Sequence, residues 1–357
     1  MAARLLNVSA VAYEPHPFFA TISEAKANSP NYWNDLSAIN VAIIEGLNRR
    51  EIHGIDISTS ASTFLGKMFH PSDLVALYSA RRELQERGFT AHPLATLILS
   101  RMLDYCCHSA TDGIYKAPTS PKRRVAPHKA LTKVLTILSD DTFEAQLGKG
   151  LVQIYEKSSE NMEELSSDSI DVVVTSPPYL NNFDFAEMTR MYLYFWGIAS
   201  SWKEITTRVR SRLIVNTTTA LKGHKEKQQA YRNSLPKSVR VSADDIVESL
   251  SHSRRTRAGR KEYNFLIYPY LSQMQRVLSE TIRVLSPGAS FHMMVSDAAL
   301  YGVHIPTPQW LSHIMVERGF VDVQYEMVRP RGHRWVLDKR EGSPRGLGEY
   351  YVFGRAE

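Results

Sequence analysis

The chain has two cysteines, and they are adjacent: Cys106 and Cys107. Neighbouring thiols cannot build a disulfide framework, and no Cys/His spacing resembles a zinc site, so no metal is expected. No apolar stretch is long enough to span a bilayer, and the first residues carry no signal-peptide core. A reducing cytoplasm and no membrane partner are the expectations. Glycine is also missing where it would be most telling. None occurs before Gly46, and Gly46 stands alone. A loop that cradles a nucleotide needs several glycines for its tight turn and close backbone approach. What remains is ample for a core: 357 residues, 43% of them hydrophobic, fit one large or two modest domains.

One stretch organises the rest. Ile170-Asp171-Val172-Val173-Val174-Thr175 is short, β-branched and continuous, which predicts a strand buried on both faces of a parallel sheet. Pro177 and Pro178 then stop it, since neither can donate to a ladder and each restricts its predecessor. The stiff turn lies past the carboxyl end of a strand, where open α/β sheets bind ligands. Ser176 supplies a hydroxyl, the backbone aims carbonyls outward, and Tyr179 offers a flat aromatic face. An acceptor pair beside a stacking ring suits an extruded nucleobase held by its amino group.

Ser176-Pro177-Pro178-Tyr179 resembles the catalytic motif of the amino-methylating DNA methyltransferases, (Asp/Asn/Ser)-Pro-Pro-(Tyr/Phe). Serine in first place resembles the N4-cytosine branch. The resemblance covers residues 1–27 and 150–357. It implies an α/β fold with a Rossmann-like, mostly parallel sheet closed by an antiparallel last strand. It also implies S-adenosylmethionine as cofactor and double-stranded DNA as partner, with a site-specific, restriction-modification role. Ser176, Pro177, Pro178 and Tyr179 become the catalytic residues, with Thr175 beside the cofactor. An N6-adenine enzyme would use the same parts. A truncated or degenerate methyltransferase acting as a DNA-binding subunit is the non-enzymatic alternative. An RNA or guanosine amino-methyltransferase usually carries an added RNA-binding domain, which is not found. C5-cytosine methylation would need a catalytic cysteine, and Cys106 and Cys107 fall in a predicted helix with no Pro-Cys turn.

Ala10-Val11-Ala12-Tyr13 reads as a strand ending at Glu14, between a helix end and a second helix. An acid closing the second strand of a Rossmann-like sheet hydrogen-bonds the cofactor's ribose. The family places a similar acid-x-Asn-Pro stretch after its glycine-rich loop, so the resemblance makes Glu14 the ribose acid and sets Phe18, or Phe19, near the adenine. Asp56, in Gly54-Ile55-Asp56-Ile57, ranks second. The loop belongs roughly 20 residues ahead of the acid, and Met1–Leu6 looks like the end of the helix after it. The expectation is therefore an incomplete cofactor domain. A misassigned start, a second chain supplying the first strand and loop, or lost cofactor binding would each account for it.

The sequence partition assigns residues 1–27, 150–202 and 263–357 to the catalytic domain and 28–149 to a mainly helical cap. Within the cap, helices are predicted over Pro71–Glu86 and from Pro93 to about Ala110. Residues 203–262 form a basic insertion. Between 203 and 261 there are fifteen Lys/Arg against five Asp/Glu, and that +10 contrasts with +6 for the whole chain. Such concentration is the footprint of phosphate contacts, for which Lys222, Lys225, Arg254, Arg255 and Arg257 are the candidates. Ser251–Arg257 reads as a flexible loop and Asn161–Leu165 as a short crossover helix. An aromatic helix follows the motif, from Met188 to Trp196. Strands are predicted at 150–155, 290–295, 320–327 and 349–353, with an amphipathic helix over Tyr263–Leu285.

Overall fold

A computed structural model describes residues 1–111, 116–256, 261–331 and 347–357. The chain divides into two compact units: Met1–Lys157 with Phe185–Leu213, and Ser158–Asp184 with Ile214–Glu357. These boundaries differ from the sequence partition. One hydrophobic cluster joins residues of 28–149 to Phe18, Ala25, Leu193 and Val209. The basic stretch is likewise divided, at Leu213.

The first unit opens with α1 (Ala2–Leu5), β1 (Ala10–Tyr13) and α2 (Pro17–Ala27). Helices α3 (Leu36–Arg49), α4 (Thr59–Gly66), α5 (Pro71–Glu86) and α6 (Pro93–Cys106) follow. A small hairpin, β2 (Ser109–Thr111) with β3 (Lys116–Pro121), leads to α7 (Pro127–Leu147) and β4 (Val152–Tyr155). The short helices α8 (Phe185–Met188), α9 (Arg190–Trp196) and α10 (Trp202–Glu204) complete the unit. Proline at the first helical position starts α2, α5 and α6, where its missing N–H costs nothing and its fixed φ fits the helix. β1 and β4 pair in parallel, Ala10 opposite Val152 and Tyr13 opposite Tyr155. Gly46 has a packing reason. A Cβ there would lie 2.4 Å from the Ala80 Cα, so α3 and α5 cross backbone against backbone only because the position is glycine.

The second unit is built on a four-stranded sheet. Its strands are β5 (Ile170–Thr175), β6 (Leu285–Ser296), β9 (Phe320–Pro330) and β10 (Gly348–Ala356), in the order β5-β6-β10-β9. β5 and β6 are parallel, and β10 runs antiparallel between β6 and β9. Helices α11 (Gln228–Ser234), α12 (Lys237–Thr256) and α13 (Ile267–Val284), the hairpin β7 (Ala298–Leu300) with β8 (Val303–Ile305), and α14 (Thr307–Glu317) complete it. Alternate residues of β6, Phe291, Met293 and Val295, enter a core with Leu271, Met274 and Leu278 of α13 and Trp310, Leu311 and Ile314 of α14. That alternation is the period of two that a strand covered by helices requires.

The architecture is mixed α/β with parallel and antiparallel pairing, and four expectations change in detail. The strands at 10–13, 152–155 and 170–175 do not share one ladder among the described residues, for β1-β4 and β5-β6-β10-β9 are separate sheets. β5 is not buried on both faces. β6 is its sole partner among the described residues, and Val174 is 78% exposed while Val173 packs on the core. Residues 161–165 form turns, not a helix. They are held instead by α13, where Glu280 accepts the Met162 N–H at 2.9 Å and Arg283 donates to the Met162 and Leu165 carbonyls. Ser251–Thr256 is the end of α12, whose buried Val239, Ala243 and Leu250 give the stretch a packed stripe. No helix of the described residues is long and apolar enough to cross a membrane.

Candidate active site

β5 delivers Thr175 and Ser176 to the carboxyl edge of the second unit's sheet, beside Met293 of β6. Ser176 is exposed, Pro177 is buried, and Tyr179 is half-buried against the core. Pro177 and Pro178 have no N–H to donate; the Asn182 N–H closes a turn on the Tyr179 carbonyl at 3.3 Å, and further support comes from elsewhere in the chain. Asn216 is the main brace. Its Nδ2 donates to the Tyr179 carbonyl at 3.3 Å and to the Phe183 carbonyl at 2.8 Å. Its own carbonyl accepts the Asn181 N–H at 2.6 Å. Asn181 takes a positive φ of 53°, which asparagine tolerates better than most residues. Asp184, buried, accepts from the Thr219 hydroxyl at 2.6 Å, and Thr219 bonds Thr217 at 2.8 Å.

Tyrosines gather near this loop. Tyr263 stands edge-on to Tyr301, ring centroids 4.8 Å apart, and hydrogen-bonds Asn181. Burial raises the Tyr263 phenol, with Tyr301 adding to it. Tyr270 is fully buried, and its hydroxyl finds no hydrogen-bond partner among the described residues. Burial first, then Tyr179, pushes its phenol well above the ordinary range. Both raised phenols are neutral at physiological pH. They offer faces and O–H groups rather than charge.

Of the expected cofactor residues, Glu14 and Phe18 belong to the first unit and Thr175 to the second. Glu14 follows β1 directly, its N–H bonded to the Tyr155 carbonyl. Its Oε1 accepts the His16 N–H at 2.8 Å. Burial raises the carboxyl, and that hydrogen bond opposes the rise. His16 is buried and caps α2, its Nδ1 accepting the Phe19 N–H at 3.4 Å. An accepting Nδ1 places the proton on Nε2, which then donates to Thr189 Oγ1 at 2.8 Å. Phe18 is 4% exposed and stacked on Tyr192 at 4.5 Å, so its ring is committed to the core and Phe19 is the more open of the pair. Asp56 sits in an irregular exposed segment and ends no strand. Cys106 and Cys107 are buried, and burial first, then Asp73, pushes the Cys106 thiol up to about 12. Cys106 is therefore no thiolate nucleophile.

The basic candidates separate into held and free. Lys225 and Arg254 converge on Glu262 at 2.5 and 3.1 Å, and the Lys225 hydrogen bond chiefly lowers that carboxyl. Lys222 and Arg255 are exposed and make no ion pair among the described residues, while Arg257 lies outside them. Sequence reasoning missed Asn216. The available signal was the run Asn216-Thr217-Thr218-Thr219, residue types whose side chains bond nearby backbone. Nothing local said that Asn216 would meet a loop more than thirty positions earlier.

No protein-family model matches the chain. Among curated proteins it is similar to the Type II methyltransferase M.AvaI of Nostoc sp. (strain PCC 7120 / SAG 25.82 / UTEX 2576), 24% identical over 177 residues, which is 48% of this chain and 35% of that protein. It matches the M.AvaI of Anabaena variabilis to the same extent. Type II methyltransferase M.BsoBI of Geobacillus stearothermophilus is 21% identical over 202 residues, 53% of this chain and 37% of its own. The chain thus spans about a third of the length of the curated relatives it matches. Among solved structures, a candidate DNA modification methylase of Thermus thermophilus aligns over 24% of this chain and 36% of its own, with 22% identity and a TM-score of 0.19. A score that low adds nothing on the fold, and the sequence matches are what tie this chain, distantly, to Type II methyltransferases.

Proposed function

We propose that this chain transfers a methyl group from S-adenosylmethionine to an exocyclic amino nitrogen in double-stranded DNA, N4 of cytosine ahead of N6 of adenine. The observation that carries the reading is the braced Ser176-Pro177-Pro178-Tyr179 turn at the carboxyl end of a parallel strand, and the distant likeness to Type II methyltransferases supports it. An exocyclic amino group is a poor nucleophile because its lone pair is delocalised into the ring. Accepting its hydrogens on Ser176 Oγ and the Pro177 carbonyl localises that pair and points it outward. This is catalysis by orientation. Tyr179 stacks on the extruded base and offsets the few kcal/mol lost on unstacking.

S-adenosylmethionine supplies an electrophilic methyl on a sulfonium. Glu14 fits its ribose end, since one carboxylate oxygen is fixed by His16 and the other makes no hydrogen bond among the described residues. Phe19 is the ring available for the adenine. None of the described turns from a strand into a helix contains glycine, and we infer that the loop for the cofactor's carboxylate end comes from outside the described residues, a second chain being one source. Lys222 and Arg255 contact DNA phosphates.

The test uses protein isolated from its native host with any companion chain retained. It is given duplex DNA and methyl-labelled S-adenosylmethionine, and the digested nucleosides are identified by mass spectrometry. Label in N4-methylcytosine is the expected result. Label in N6-methyladenine moves the base but keeps the chemistry. Label in 5-methylcytosine, or in no nucleoside, ends the proposal.

A further inference from the structure

We propose that Asn216 is a positioning residue for methyl transfer, one that sets the orientation of Tyr179 without touching the base. The inference rests on the function proposed above. Three observations carry it. A carboxamide has two N–H donors, and Asn216 directs Nδ2 at two carbonyls of one loop, Tyr179 at 3.3 Å and Phe183 at 2.8 Å. Its backbone carbonyl takes the Asn181 N–H at 2.6 Å, so a single residue grips the loop at three places between 179 and 183. Asn216 is 5% exposed, and its neighbour is also anchored, the Val215 N–H donating to Gln273 Oε1 of α13 at 2.8 Å. The loop is thereby referred to a long packed helix as well as to its own turn bond.

The need for such a grip follows from the prolines. Pro177 and Pro178 cannot hydrogen-bond through nitrogen, and Asn181 occupies the left-handed region, so the loop's own backbone support is one turn bond, from the Asn182 N–H to the Tyr179 carbonyl at 3.3 Å. Thr219 secures the far end by donating to buried Asp184 at 2.6 Å. The strap from 215 to 219 therefore closes on both ends of the loop that follows the motif. A misplacement of about 1 Å at a reacting group is enough to cost about 100-fold in rate. Fixing a carbonyl one bond from the Tyr179 Cα is a direct way to prevent it.

Asn216→Asp keeps the shape and removes both donors. We expect kcat to fall about 30-fold while KM for duplex DNA stays within about twofold, because the phosphate contacts are untouched. Hydrogen exchange at the Asn181 and Asn182 amides should quicken in the same variant. Should Asn216→Asp fail to fold, Thr219→Val probes the other end of the strap, with an expected fall of about fivefold in kcat alone. The preparation is again the one isolated from the native host. Active wild type together with full kcat in a folded Asn216→Asp protein overturns the positioning role and leaves the proposed function standing. A raised KM with unchanged kcat also overturns it, since that pattern marks a binding residue. An inactive wild type overturns the proposed function, and the positioning role falls with it.

Discussion

Two strands of this chain end alike, in a polar residue followed by proline, yet the two turns are held by opposite means. After β1, Glu14-Pro15-His16-Pro17 passes straight into α2. The His16 N–H bonds Glu14 and its imidazole caps the helix, so most of the support lies within a few residues. After β5, Ser176-Pro177-Pro178-Tyr179 enters no helix before Phe185, and Asn216 braces it from far along the chain. The difference is instructive. A proline that starts a helix is stabilised by the helix it starts, whereas paired prolines remove donors and force the loop to borrow them. The first turn presents a carboxylate, for which local order suffices. The second presents a hydroxyl, carbonyls and a ring together, and their mutual placement has to be imposed from outside.

The comparison breaks most visibly at Tyr179. Tyr179→Ala should cut methyl transfer about 100-fold, equivalent to about 2.7 kcal/mol, in line with the loss of one base stack. Its cost to folding should stay near 1 kcal/mol, because the ring is half-buried. A folded variant with the wild-type rate would remove Tyr179 from the base site. Next in size is His16→Ala, which deletes a helix cap and the buried bond to Thr189. We expect a loss of about 2 kcal/mol in chemical denaturation, with DNA affinity unchanged. An unaltered midpoint would mean that the β1 turn is not held locally after all.

The elements were largely legible because their signals are local. Pro71 and Pro93 open their helices where predicted, and the stretches at 10–13 and 170–175 are strands. What sequence alone could not give was partnership. Val172 and Val174 looked like core because apolar residues usually are, but their exposure depends on which strands pair with β5. Ser251–Arg257 looked like loop because charge hid the buried spacing of Val239, Ala243 and Leu250. At the site, the motif itself stood out, while Asn216 did not. Its role exists only through a contact between distant parts of the chain. Phe18 shows the same limit, since the Tyr192 ring that occupies it is also far away in sequence.

Glu14 sharpens the comparison through pH. Burial raises its folded carboxyl above the ordinary 4.5, so the folded protein keeps this proton to higher pH than the unfolded chain does. The associated stability is complete below about 4.5 and is lost as pH rises through the folded value. Glu14→Gln cannot lose a proton, and it should match wild type at about pH 4 and equal or exceed it at about pH 7. Calorimetry with S-adenosylmethionine should show affinity lower by about tenfold, because an amide replaces a charged acceptor. A Gln variant less stable than wild type near neutral pH, with unchanged cofactor affinity, would assign the carboxylate a structural role instead.

The smallest effect extends the distinction between held and free groups to the basic stretch. Lys225 is occupied by Glu262, whereas Arg255 projects from the last turn of α12 with no ion pair among the described residues. A cation already neutralised by a carboxylate releases fewer counterions when DNA arrives. Each phosphate contact contributes roughly one unit to the slope of log affinity against log salt. Arg255→Ala should therefore shallow that slope by about one and weaken binding a few-fold at moderate salt. Lys225→Ala should change it by less, since Lys225 is already neutralised by Glu262, which Arg254 goes on holding in the variant. Equal slopes for the two variants would show that the ion pair opens on binding, and that the charges of this stretch act as one pool rather than as held and free sets.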